Sequence, residues 1–133
     1  MAKSPSGSLC PYPYLGGELH PLKYGGFQAD AARLLAVMAA EEAFVLASGG
    51  QHNRRVWIDC YESPWNDETI DALARHLTAL APKIFRLCFA GLPRRSQKKL
   101  LRAMETHGCV LREPPRFVDD PETGKRWLVG EGR

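Results

Sequence analysis

The chain holds no C-x-x-C pair, no H-x-x-x-H, no Walker loop and no G-x-G-x-x-G. Each absence removes a class of chemistry. Without paired cysteines there is no zinc ribbon and no thioredoxin-type motif. Without the histidine pair or the glycine-rich loops there is no standard metalloprotease or nucleotide site. Apolar runs fall short of the roughly 18 residues a membrane helix needs. Charge of one sign is also scarce: Lys and Arg total 18 against 15 Asp and Glu, a net charge of +3. That excess is too small to argue for nucleic acid by itself.

What is present is ordinary globular composition, 44% hydrophobic and 25% charged over 133 residues. A chain of this size forms about one domain and buries a core without staples. Four cysteines stand apart at Cys10, Cys60, Cys88 and Cys109. Cys60 and Cys88 fall in predicted strands, where a free thiol acts as a small apolar residue. This usage points to a reducing cytoplasm. The opening MAKSPSGSLCPYPYLGG is rich in Pro, Gly and Ser and has no apolar core of a secretory signal. It reads as a flexible arm over 1–16, with the folded domain over 17–133.

Short strands are predicted at Glu18 to Leu22 and Gly25 to Gln28. A helix follows from Asp30, a fitting N-cap, to the stop at Gly49-Gly50. Its apolar residues Leu34, Leu35, Val37, Met38, Phe44, Val45 and Leu46 cover more than one face. Such a helix is buried on two sides or packs on a second copy of the chain, so a homodimer through this helix is one expectation. Gln51 to Arg54, with His52, is a polar connection.

The run from Arg54 to Gly91 is the clearest signal. VWIDCY is a short apolar strand with β-branched and aromatic residues. Ser63-Pro64-Trp65-Asn66-Asp67-Glu68 opens a helix, with Pro in the first turn and acids at the positive end. Ile70, Leu73, Leu77 and Leu80 form one narrow apolar stripe, and Pro82 ends it. Lys83 to Ala90 is the next strand. A short helical link makes the two strands parallel, a βαβ unit. A third helix is predicted from Pro93 to His107, with Leu100, Leu101 and Met104 inward. A last strand lies within Cys109 to Val118, interrupted by Pro114-Pro115. Asp119-Asp120-Pro121-Glu122 opens a final helix.

Three stretches, VWIDCYES, KIFRLCFAG and RFVDDPETGKRWLVGE, together resemble the STAS domains (sulfate transporter and anti-sigma-factor antagonist). The likeness is to the stand-alone bacterial proteins of the anti-sigma-factor-antagonist-like and lipid-transfer-like branch. It covers Tyr24 to Glu131. The resemblance implies an α/β domain with a mixed, mostly parallel sheet of about four or five strands and about four helices, mainly on one face. It also implies a non-enzymatic, regulatory binding module without a cofactor, whose partner is a protein or a small anionic ligand. Antagonists of this family are switched by phosphorylation of a Ser in an Asp-Ser-Ser-Gly turn. Here that place reads Trp65-Asn66-Asp67-Glu68-Thr69, which has no such Ser, and Asp67 and Glu68 would repel a phosphate on Thr69.

The strongest binding candidate is the basic helix start. Arg94, Arg95, Lys98, Lys99 and Arg102 crowd a helix end that is already positive. With Gly91 and Ser96 they fit an anion site after a strand, bordered by Trp65 and Asp67. The plainer reading is a solvated face. Few aromatics accompany these charges, so nucleic acid is not expected. Trp65 either plugs the sheet end or lines a pocket. Asp59, Glu62, Asp67 and Glu68 read as helix caps. The alternative is a small enzyme in which Asp59 and Glu62 serve as an acid/base or Mg²⁺ pair on a phosphorylated substrate. No metal ligand set is expected, and His20, His52, His76 and His107 show no ligand spacing. Neither a Ser-His-Asp nor a Cys-His set can be assembled from chain order.

Overall fold

From Gly17 onward the chain alternates strand and helix, as the periodicity predicts. The computed structural model describes residues 2–47 and 54–130. The elements are β1 (Ala2–Lys3), β2 (Leu9–Cys10), β3 (Tyr12–Tyr14), β4 (Gly17–Lys23), α1 (Ala31–Ala47), β5 (Arg54–Asp59), α2 (Asp67–Leu80), β6 (Ile84–Ala90), α3 (Arg94–Thr106), β7 (Arg116–Val118) and α4 (Pro121–Val129). A 3-10 turn at Ala81–Lys83 joins α2 to β6. The predicted stop at Gly49-Gly50, and most of the connection through His52, lie outside the described residues.

The main sheet has five strands in the order β3-β4-β5-β6-β7. β4 to β7 are parallel, and β3 is antiparallel to β4. The architecture is α/β with a mostly parallel sheet and four helices. Crossovers of one hand that always step the same way place their helices on one face. Accordingly α1, α2 and α3 share a core with Leu22, Val56, Ile58, Leu87 and Phe89. The opposite residues of the pleat, Leu19, Trp57, Cys88 and Ala90, pack with Leu128 of α4. Among the described residues no helix is long and apolar enough to cross a membrane.

Two arginines on that second face hold α4 by its negative end. Arg86 donates to Trp127 O at 2.9 Å, and Arg55 donates to Leu128 O. Both satisfy carbonyls that the helix itself leaves free. At the other end Asp120 caps the helix, accepting from Glu122 N, with Pro121 in the first turn. Between them Gly124 lies flat on the sheet. A Cβ there would stand 2.7 Å from Cys88 Sγ and 2.9 Å from Val118 Cγ2.

Several expectations are corrected. The N-terminal residues are not an unpaired arm: β1 pairs with β2, and β3 extends the main sheet. The cause is the Leu15-Gly16 turn, with φ of 45° and 81°, which folds Tyr12–Tyr14 back on β4. Two positive φ angles are the mark of a tight two-residue hairpin. Gly25 to Gln28 is not a strand, because Gly26 and Gln28 also take positive φ. Gly26 N and Gln28 N still donate to Tyr61 O and Glu62 O. β7 spans only 116–118, since Pro114-Pro115 offers no ladder donors. Leu101 is 44% exposed, while Leu100 and Met104 face inward. The buried residues of α1 are Leu34, Met38, Glu41 and Val45, a single stripe, and Leu46 is exposed.

His76 sits inside rather than on the edge of α2. Its Nε2 is 2.7 Å from Tyr24 Oη, and its Nδ1 is 3.0 Å from Glu42 Oε1. One ring proton satisfies both contacts: Nδ1–H donates to the carboxylate, and Nε2 accepts from the phenol. Burial lowers the pKa of His76, and Glu42 only partly offsets it.

Two outcomes follow for stability. Gly124→Ala is expected to lower the urea midpoint, because overpacking of about 1–3 kcal/mol exceeds the roughly 1 kcal/mol Ala gains within a helix. An unchanged or raised midpoint would show that α4 has room to lift. For His76, the folded pKa lies below the ordinary 6.5, so the unfolded chain binds the proton first. This contribution is full above pH 6.5 and is lost as pH falls through the depressed folded value. Urea melts of wild type and His76→Gln across this window are expected to converge as pH drops.

Candidate functional site

The basic residues of α3 do not converge on one point. Arg94, Arg95 and Lys98 are exposed around the outside of the helix. Lys99 turns the other way and pairs with Asp67 of α2 at 2.8 Å. That pair lines a shallow groove with Asp71 and Arg102, where acids balance bases. Ser96 is buried. Gly91 has a φ of 83°, and the Tyr61 ring occupies the space of its missing side chain, 2.5 Å from an ideal Cβ. Trp65 plugs the sheet end: Nε1 donates to Cys60 O at 2.8 Å, and the ring packs against the three-helix core. Neighbouring residues of α3 thus point in several directions, because a helix turns about 100° per residue.

The four acids Asp59, Glu62, Asp67 and Glu68 do not cap α2, whose cap is Asn66; Asp67 and Glu68 lie in its first turn. Asn66 and Thr69 form a reciprocal capping box at the start of α2. Thr69 is buried, and its hydroxyl donates to Pro64 O at 2.7 Å. Asp59 Oδ1 accepts from Tyr61 N at 3.1 Å. Glu62 is exposed, with Gln28 Nε2 at 3.5 Å from its Oε1. Among the described residues no group of three His, Cys, Asp or Glu is placed to hold a metal.

A larger concavity than the groove at Asp67 and Lys99 lies elsewhere, on the face of the sheet that α4 covers. It is a cleft of about 520 Å³. The pleat explains its floor. Leu19, Pro21 and Lys23 alternate onto this face from β4, and Trp57 and Asp59 do so from β5. Helix α4 is only nine residues long and leaves the strip over β4 open. The β1–β2 hairpin closes that strip from the far side with Lys3, Gly7, Ser8 and Leu9. Tyr12 and Tyr61 complete the walls, and Pro121 and Lys125 of α4 form the opposite lip.

The composition of this cleft is lopsided. Three lysines, Lys3, Lys23 and Lys125, face one carboxylate, Asp59. Lys125 Nζ lies 5.4 Å from the Trp57 ring centre and 5.8 Å from that of Tyr14. Exposed Leu9, Tyr12 and Tyr61 all border it. Tyr61 is positioned by its hydroxyl, which donates to Asp119 O at 2.7 Å. Slight burial and the nearby acids Asp119, Asp59 and Asp120 raise its pKa, so it remains a neutral donor. The arrangement presents flat apolar surface with ammonium groups around it and no histidine or cysteine in its lining.

Sequence reasoning named Asp59 here but missed Lys3, Tyr12, Lys23, Trp57 and Lys125. The alternation of Leu19, Pro21 and Lys23 was visible. Nothing local reveals that a hairpin from the first residues closes over it. No family model, curated protein or solved structure matches this chain.

Proposed function

We propose that this protein is a non-catalytic binding module whose cleft takes a small anionic ligand with a flat apolar body. The observation that carries the reading is the ring of Lys3, Lys23 and Lys125 around the Trp57, Tyr12 and Tyr61 surfaces. A volume of about 520 Å³ is within the range of small-molecule pockets. The apolar floor supplies most of the affinity, at about 25 cal/mol per Å² of surface removed from water. Exposed lysines are screened and contribute orientation and choice of sign more than strength. Asp59 opposes a second negative group, which favours one anionic head over a polyanion.

The resemblance to STAS domains supports the same reading, since that family works by binding. The enzyme alternative needs Asp59 and Glu62 together in one cleft. Of these only Asp59 lines the cleft, and it accepts a backbone N–H.

Anilinonaphthalene sulfonate, a flat aromatic anion, is a suitable probe. Wild type is expected to bind it saturably at one site under native conditions. A Lys23→Glu/Lys125→Glu variant is expected to bind at least about tenfold more weakly, a loss of roughly 1.4 kcal/mol. An Arg94→Glu/Arg95→Glu variant is expected to match wild type. Matching urea midpoints guard against probe binding to unfolded chains. If the first variant binds normally, the cleft is not the site. If only the second loses binding, the site belongs to α3.

A further inference from the structure

Behind the hairpin wall, on the helix face of the sheet, four side chains the cleft does not use meet in the interior. Cys10 Sγ lies 3.2 Å from His20 Nδ1. Glu41 Oε1 lies 4.0 Å from His20 Nε2. Arg54 Nη1 lies 2.5 Å from His20 Nδ1 and 3.7 Å from Cys10 Sγ. Cys10, His20 and Glu41 are 8%, 3% and 0% exposed. Chain order shows no such set; β2, β4, α1 and β5 each contribute one member.

The order thiol, Nδ1, Nε2, carboxylate is that of an activated nucleophile, its base and the group that orients the base. Glu41 is well placed for the last role. Its Oε2 accepts from Ser6 N at 2.8 Å, and its fully buried Oε1 has no hydrogen bond and faces the imidazole. A proton on Nε2 facing Glu41 leaves Nδ1 as the acceptor. Burial pushes the Cys10 thiol up, but His20 and Arg54 outweigh it and hold the thiol below its ordinary value. The other cysteines are pushed the opposite way. Burial raises Cys109, drives Cys88 to about 12, and raises Cys60 well above the thiol range.

We propose that Cys10 is an oxidant-sensitive thiol, converted to a sulfenic acid by small hydroperoxides with His20 as proton relay. Arg54 Nη1 turns from His20 Nδ1 to the sulfur, 3.7 Å away, and the freed Nδ1 lone pair takes the thiol proton. The thiolate sulfur then attacks the terminal oxygen of the peroxide. An S–O bond forms, the O–O bond breaks, and the transferred oxygen keeps its hydrogen as S–OH. The departing alkoxide or hydroxide receives the proton from His20. Sulfur is oxidised by two electrons, and the hydroperoxide is reduced to an alcohol or water. Only small oxidants fit, because Cys10 is almost covered.

The native chain offers its own control, since Cys109 is more exposed than Cys10. Brief treatment with limiting hydrogen peroxide, trapping with dimedone and peptide mass mapping would rank the four thiols. Cys10 is expected to be labelled first, about tenfold or more ahead of Cys109, and to keep reacting below about pH 8, where an ordinary thiol is mostly protonated. His20→Gln is expected to slow Cys10 and move its pH profile up to the ordinary thiol range. Should that variant not fold, the wild-type ranking and profile decide alone. Faster labelling of Cys109, or a Cys10 rate that falls away like a free thiol, would overturn the proposal.

Discussion

Strand β5 is held between two parallel neighbours, and the rest of the structure depends on that placement. Its backbone pairs with β4 on one side and β6 on the other. Its side chains therefore have only two directions. Val56 and Ile58 enter the three-helix core, worth about 1.5–3 kcal/mol each on burial. Trp57 and Asp59 enter the opposite layer. A shift of one residue would exchange these sets and place an aspartate where Ile58 lies. The core, the seat of α4 and the floor of the cleft are all set by this register.

The two layers are covered differently, and the proposed function rests on that difference. Three helices bury the first face almost completely. The second face has one short helix and a hairpin, held apart by the width of β4. A concave apolar surface survives between them, ringed by lysines. Charges on α3 lack this setting. They are many, but the helix spreads them around its circumference, and Lys99 is engaged by Asp67. Charge count alone does not make a site; a shared concavity with desolvated walls does.

Helix α1 is tied to the sheet and to α2 through two adjacent acids. Glu41 faces His20 of β4, and Glu42 receives His76 of α2. Neighbouring helix positions diverge, so each acid serves a different polar cluster. His76 is neutral between a phenol and a carboxylate. His20 is different: burial lowers its pKa, but Cys10 and Glu41 raise it above the ordinary value. The same residue type therefore has opposite proton affinity on two sides of one helix.

Much of the architecture was legible because it rests on near-neighbour physics. Asp30, Asn66 and Asp120 satisfy N–H groups within three residues, Pro82 and Pro114-Pro115 interrupt locally, and Ile70, Leu73 and Leu77 repeat with the helix. The parallel βαβ unit follows from the shortness of its link. The candidate sites were not legible, because their members come from distant parts of the chain. Lys3 meets Lys125 across one cleft, and Cys10 meets Glu41 and Arg54 in one cluster. The N-terminal segment shows why. Its Pro and Gly content is the same for a loose arm and for a chain of tight turns, and local composition does not distinguish them. Pairing with β4 decides, and that hydrogen bonding exists only once the sheet has formed. From β5 onward the sequence by itself determined the elements, their main caps and their parallel order. The tertiary structure alone decided which face stays open and which side chains converge there, since burial and proximity belong to the assembled layers.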